Sequence, residues 1–492
     1  MIKTMKNRHR MLKYLFVLCA SGLFLSVVFT ACSVPQPLVT PANPEYPATY
    51  GLRQADTTQS ETIQWKNYFK DKALIQLIDY ALAQNIDKLI ADQRAYAMRA
   101  QFIMSRNYML PSVNAATSTG VTRFGDYTID GVGNFDSNRS SNISEKQRIP
   151  QPVPDFMLGF TTEWEVNLAG KLRNRKKAAY QRWMAGEEGR HLIATHLVSE
   201  VARLYYELLA LDTELEIIRK NIGIQERALE IVAIQKQSGR INEAGVKQFK
   251  ALLLKAKALE VEIQQEIVVA ENSLNSLMGR YPQRIVRKDT IDVNDLPQLL
   301  KVGVPANLIS NRPDVRAAER EFFATRYDLK AARAAFYPNI LINGNFGLNA
   351  FSSDLLFETP ASLAYMLIGG LTMPLINRNQ ITAHYRNAFV NSNQSFFQFQ
   401  RALIKGVEEV NTEFNKLQNY KRVAEFKLQE VSELKQAVDI SNELFLTGYA
   451  SYMEVLLTRQ NRLESELQLT EANKEQFMAA IQLYKALGGG WR

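Results

Sequence analysis

The sequence predicts a mainly helical chain with a transmembrane β-barrel, laid out as two copies of one helix–strand–strand–helix plan. The first observation is repetition. "GRINEAGVKQFKALLLKAKALE" from Gly239 lies on "GYASYMEVLLTRQNRLESELQL" from Gly448 without a gap. That shift of 209 residues still holds where "LMGR" around Gly279 meets "ALGG" around Gly488. A second pair, from Asn85 and from Arg312, aligns at a shift of 227 and sets Asp87 on Asp314, Ala91 on Ala318, Pro111 on Pro338 and Gly120 on Gly347. A looser third pair, "EWEVNLAGKLRNRKKAAYQR" and "GLTMPLINRNQITAHYRN", aligns at a shift of 207. All three fall in the same order in each half, which is internal duplication. The second observation is a change of hydrophobic period from 3.6 to 2 at the same point of each half. The third is that the chain after its leader has no run of about 18 apolar residues, so any membrane crossing falls to strands.

Residues 1–31 read as an export signal: Lys3, Lys6, Arg8, Arg10 and Lys13, then the apolar run "LFVLCASGLFLSVVF", then "TACS". A small residue before cysteine suits lipoprotein cleavage, which makes Cys32 the acylated first residue; Cys19, preceded by Leu18, suits it less. The five leader charges account for more than half of the net +9. The remaining +4 is too mild to imply a nucleic-acid partner. With Cys19 removed and Cys32 acylated, no thiol pair is left to form a disulfide. Residues 32–60 include the proline-rich stretch "SVPQPLVTPANPEYPATYG", an extended tether.

The first repeat then covers 61–280 and the second 307–492. Each opens with a helix. One runs from Lys72 to Met109; the other starts at "NRPD", where Asn311 can cap and Pro313 fits the first turn. Both stop ahead of a proline, Pro111 or Pro338. Strand hairpins follow over about 111–168 and 338–376. Along them Phe156, Leu158, Phe160, Trp164 and Val166 alternate with Met157, Gly159, Thr161, Glu163 and Glu165. Ile340, Ile342, Phe346 and Leu348 likewise alternate with Leu341, Asn343, Asn345 and Asn349. About 10 residues with one apolar and one polar face is the pattern of an outer-membrane strand. The first hairpin has a long Gly/Asn/Ser/Pro-rich loop, the second the shorter "FSSDLLFETPAS".

Long helices come next, from about Asn174 to Gln237 and from about Ile381 to Leu446. At ~1.5 Å per residue each is on the order of 100 Å long. Apolar residues at three- and four-residue intervals, as in "VARLYYELLALDTELEII", give them coiled-coil character. Each turns at a glycine, about 238–245 and 447–453, and a shorter helix returns to Gly279 or Gly488. Residues 281–306, with Pro282, Pro297 and Pro305, form a small connecting belt. Four strands in lipid leave open edges, and unsatisfied backbone groups there cost several kcal/mol each. Copies of the chain must therefore close the sheet; two give eight strands and three give twelve, and periodicity does not choose.

The stretches "VPANLISNRPDVRAAEREF" from Val304, "AARAAFYPNILINGNFG" from Ala331, "EWEVNLAGKLRNRKKAA" from Glu163, "GYASYMEVL" from Gly448 and the terminal "LYKALGGGW" resemble the outer-membrane channels of tripartite efflux pumps. The branch they resemble is the lipoprotein one serving resistance–nodulation–division transporters. The resemblance runs from about residue 36 to the end. It implies a homotrimer, with a twelve-stranded barrel in the outer membrane of a Gram-negative cell continued by a helical barrel across the periplasm. Substrate would pass from the inner-membrane transporter through a periplasmic adaptor into this duct.

On that resemblance the two glycine turns are periplasmic tips, and their reversal needs Gly239 and Gly448, where a side chain would obstruct. Adaptor contacts fall to Gly239, Arg240, Ile241, Asn242, Gly448, Tyr449, Ala450 and Ser451. Tyr452 and Glu454 stand at the aperture, where three Glu454 carboxylates around an axis would favour cations. Leu457 takes the place of a second acid found in some relatives. No catalytic, cofactor or metal site is expected. His9, His191, His196 and His384 have no partner at ligand spacing, and there is no phosphate loop or nucleophile elbow. Two rivals remain: a duct for type I protein secretion, which shares the fold, and a lipid-anchored periplasmic scaffold without a pore.

Overall fold

A computed structural model describes residues 64–239, 241–288, 290–297, 310–374 and 378–491. The signal segment, Cys32 with its tether, Arg240 and the end of the connecting belt lie outside the described residues. The chain divides into two compact units. One comprises Met98–Trp183 and Glu321–Ser395; the other comprises the described residues of Ala42–Ala97, Met184–Arg320 and Phe396–Arg492.

In chain order the helices are α1 (Trp65–Tyr68), α2 (Lys72–Gln84), α3 (Ile86–Asn107), α4 (Ile129–Ser137), α5 (Lys171–Gln237), α6 (Glu243–Leu277), α7 (Pro313–Ala334), α8 (Asn379–Thr447) and α9 (Tyr452–Ala486). The strands are β1 (Ser112–Thr122), β2 (Val153–Val166), β3 (Asn339–Ala350) and β4 (Leu363–Thr372). The mainly helical fold with two strand hairpins is as the sequence predicts. Among the described residues no helix is long and apolar enough to cross a membrane.

Three local expectations are corrected. The helix expected from Lys72 to Met109 is broken at Asn85, whose ψ of 127° is extended. Its side chain donates to the Leu277 carbonyl at 2.8 Å and accepts from the Lys88 amide at 2.8 Å, so one residue ends α2 and caps α3. At the second repeat Pro313 does open α7, but the cap position belongs to Arg312, whose carbonyl accepts from the Arg316 amide at 3.1 Å, and not to Asn311. The long β1–β2 loop carries α4, capped by Thr128, whose hydroxyl accepts from the Gly131 amide at 3.1 Å.

The duplication extends to single hydrogen bonds. The return helices α6 and α9 are each 35 residues, offset by the same 209. The guanidinium of Arg312 donates to the Ala486 carbonyl at 3.0 Å, the counterpart of Asn85 on Leu277. Gly279 (φ +65°) and Gly488 (φ +88°) follow these helix ends. A Cβ at Gly279 would stand 2.7 Å from the Gln84 carbonyl oxygen, and one at Gly488 2.4 Å from that of Asn311. Both glycines are thus required by positive φ and by the close approach of another backbone.

The main apolar core belongs to the second unit and joins α1, α2, α5, α6, α8 and α9. Tyr68 stacks on Tyr484 with ring centroids 4.2 Å apart, and Tyr206 stacks on Phe477 at 4.3 Å. Two buried hydroxyls find partners where α1 and α2 meet the bundle: Tyr68 donates to the Ala480 carbonyl at 2.9 Å and Tyr205 to the Asp71 carboxylate at 2.8 Å. In the connecting belt Arg287 bridges Asp212 and Glu271, both at 2.5 Å, tying the belt to α5 and α6.

Gly488→Ala is expected to destabilise by about 3 kcal/mol, because a left-handed φ is combined with a backbone clash. Gly448→Ala, with φ +86° but no atom within 4 Å of the added carbon, should lose only about 1 kcal/mol. Thermal unfolding of the two variants checks this; equal losses would show that the contact with the Asn311 carbonyl contributes nothing.

Candidate functional site

Two surfaces carry the residues of interest, one in each unit. In the first, the strands form an antiparallel sheet in the order β1-β2-β3-β4. The register joins every predicted alternation into two continuous faces. Phe160 pairs with Phe346, which pairs with Tyr365; Leu158 pairs with Leu348, which pairs with Leu363. With Val113, Val121, Leu367 and Leu371 these make one face almost wholly apolar. It is also exposed: Tyr365 keeps 79% of its surface and Leu367 74%. On the other face Glu163 pairs with Asn343, Thr161 with Asn345 and Met157 with Asn349. An exposed apolar face backed by a polar one is the reverse of a water-soluble sheet, whose apolar face is covered. β1 and β4 are the end strands, each with one side unpaired among the described residues.

The sheet is fixed to its own helices by polar contacts. The Trp164 indole donates to the Met109 carbonyl at 3.1 Å, and Lys171 at the start of α5 pairs with Glu165 at 2.9 Å. Arg182 reaches across to α7, where it pairs with Glu321 at 3.4 Å and with Asp328.

The second surface is formed by the two glycine turns. Gly239 (φ +74°) and Gly448 (φ +86°) take left-handed backbone, and a Cβ at either would meet nothing within 4 Å. Glycine is therefore needed for its backbone angle; the expectation that a side chain would obstruct the reversal is corrected. Three residues on, Asn242 caps α6 by accepting from the Gly245 amide at 2.9 Å, and Ser451 caps α9 by accepting from the Glu454 amide at 3.4 Å. The Ser451 hydroxyl also donates to the Glu454 carboxylate at 3.2 Å. Glu454 is thus exposed at the third position of α9, in the capping pattern that "SYME" already spells.

The turns are alike in backbone and different in chemistry. Lys236 and Glu243 pair across the first, and that hydrogen bond and charge hold the Glu243 carboxyl below its ordinary value. The equivalent positions of the second turn are Phe445 and Tyr452. Both pack onto an apolar cluster of Ala228, Val232, Ile241, Phe249 and Leu456. Ile241 is buried there with 8% of its surface exposed, so its side chain holds the two turns together and leaves little for a partner to touch. Gly239, Asn242, Gly448, Tyr449 and Ser451 are exposed and Ala450 is half-buried. Leu457, in place of a second acid, is exposed as well.

Among the described residues no group of His, Cys, Asp and Glu is placed to hold a metal ion. The sequence profile of the outer membrane efflux protein family matches residues 77–280 and 304–489. The chain is 25% identical over 427 residues to the solvent efflux pump outer membrane protein SrpC of Pseudomonas putida, covering 87% of each. It is 24% identical over 477 residues to the cation efflux system protein CusC of Escherichia coli, covering 95% of this chain and 98% of the relative. The crystal structure of a membrane protein from Pseudomonas aeruginosa superimposes with a TM-score of 0.82 at 23% identity, over 92% of this chain and 99% of that one. The chain belongs to the outer membrane efflux protein family, which makes it an efflux protein of the outer membrane and not an enzyme.

Proposed function

We propose that three copies of this chain close into the exit duct of a tripartite efflux pump, passing small molecules from an inner-membrane transporter and periplasmic adaptor to the outside. The observation that carries this reading is the four-stranded sheet with one exposed apolar face, one polar face and two open edges. Four is even, so β4 of one copy meets β1 of the next antiparallel, and the sheet closes with no edge left in lipid. Two copies would give eight strands, an interior that side chains fill; twelve leaves a polar lumen. The five exposed tip residues Gly239, Asn242, Gly448, Tyr449 and Ser451 would turn to the adaptor. The leader and "TACS" support export and acylation at Cys32, which would hold the tether to the membrane.

In this arrangement Glu454 of three copies surrounds the aperture beside Tyr452. Its exposure supports that role, while the cap it completes with Ser451 fixes where the carboxylate stands. Like charges on one ring attract cations and repel anions.

Extraction of the mature protein in mild detergent should give the mass of a trimer, with labelled fatty acid on every chain; a monomer freed by salt alone would end the duct reading in favour of an anchored scaffold. In planar bilayers under a salt gradient, the channel should prefer cations, and Glu454→Ala should bring its reversal potential towards zero. An unchanged reversal potential would remove Glu454 from the constriction.

A further inference from the structure

Eleven residues past Gly448, on α9, Arg459 faces a groove that also takes in α5 and α8. The groove encloses about 700 Å³ and is strongly basic, lined by Arg219, Lys220, Arg227, Arg459 and Arg462 against only Asp439 and Glu466. Most of these charges are accounted for. Arg219 pairs with Glu260 at 2.9 Å, Lys220 with Glu216 at 2.5 Å and Arg462 with Glu466 at 3.0 Å. Arg459 is different. One guanidinium nitrogen donates to the Asn442 side chain at 2.8 Å. Its Nε and its other terminal nitrogen are shut off from solvent with no acceptor, and among the described residues no carboxylate pairs with it. Burial, and then the charge of Arg462, depress its pKa, as for a cation without a counter-ion. A charge left in this state is costly unless something compensates it.

Two further observations describe the compensating group. Gln225 opens onto the same groove with only 4% of its surface exposed. Its carbonyl oxygen has no donor. Arg459 also borders a smaller cavity of about 200 Å³ walled by apolar side chains, among them Val232, Phe249, Phe445 and Val455. The unmet needs are thus an anion for Arg459 and a hydrogen-bond donor for Gln225, with apolar walls beside Arg459.

We infer that this groove is a binding site for a hydroxylated aromatic carboxylate, with its carboxylate on Arg459, its hydroxyl donating to Gln225 and its ring between them in the groove, against the apolar side chains of Ile217, Ile224 and Val438. The site draws on both helical hairpins, α5 and α6 on one side and α8 and α9 on the other. Its occupancy therefore ties the two hairpins together. It is independent of the Glu454 ring and of the count of copies.

The test is equilibrium dialysis of radiolabelled 4-hydroxybenzoate against the full-length protein in nonionic detergent, with benzoate and 4-hydroxybenzyl alcohol as competitors. Saturable binding is expected, with benzoate competing less well for lack of the hydroxyl and the alcohol barely at all for lack of charge. Arg459→Gln should weaken binding at least about tenfold, the loss of a charge-assisted pair. Gln225→Leu should retain binding and abolish the preference over benzoate. Unchanged circular dichroism and native mass keep either result from being a folding defect. Absence of saturable binding to the wild type overturns the site, as does binding indifferent to both substitutions. If the wild type binds nothing and Arg459→Gln lowers the native mass, the counter-ion is a carboxylate of a neighbouring copy and the ligand site is refuted. A channel that conducts in bilayers and binds no 4-hydroxybenzoate would refute this site and leave the duct reading standing.

Discussion

The last carbonyl of each return helix is satisfied by a side chain far away in sequence: Leu277 by Asn85, and Ala486 by Arg312. Helix ends leave such groups orphaned, and a buried end without partners is unstable. Here the donor comes from the residue at which the opening helix is broken or begun, so a single bond stops one helix and positions another. The glycine two residues on then lets the chain leave past the neighbouring backbone, which a side chain would meet within 2.7 Å. The cores of aromatic rings, the belt anchored by Arg287 and the turns at the far ends of α6 and α9 are all placed relative to these two bonds.

The two copies solve this problem with different chemistry. Asn85 is neutral and also caps α3. Arg312 is charged, keeps only 6% of its surface exposed, and is held by Asp314 at 2.8 Å and Glu409 at 2.7 Å as well as by the carbonyl. A positive group at a helix C-terminus is favoured by the dipole, and the two carboxylates make its burial tolerable. The turns diverge in the same manner, with an ion pair across the first and apolar packing across the second. Backbone geometry has been kept through duplication while the side chains that secure it have changed.

Much of this was legible in the sequence. The repeats gave the paired architecture, the change of period gave β2 and β3 and with them the two hairpins, and the glycines gave both turns within a residue or two. What escaped depends on partners distant along the chain. The break at Asn85 has no breaker residue, only a donor whose acceptor lies 192 residues on; yet the alignment at a shift of 227 starts at that residue and sets it opposite Arg312, a sign that was available. The caps at Asn242 and Ser451 were also within reach, the second as a serine followed three residues later by glutamate. The groove at Arg459 was not. Nothing in a periodic, charged helix marks a buried arginine left without an acid, because pairing is decided by which neighbours pack across from it.

The equality of α6 and α9, at 35 residues each, binds the two halves in evolution as well as in space. From belt to turn each measures about 52 Å at the ordinary helical rise. A deletion of four residues from one leg alone would set its turn roughly 6 Å short of the other, and would also rotate every apolar position off its seam. Length can therefore change only in matched steps, in whole heptads and in both copies together. Insertions and deletions among relatives of this chain should accordingly come in pairs spaced 209 residues apart, or fall outside these helices altogether.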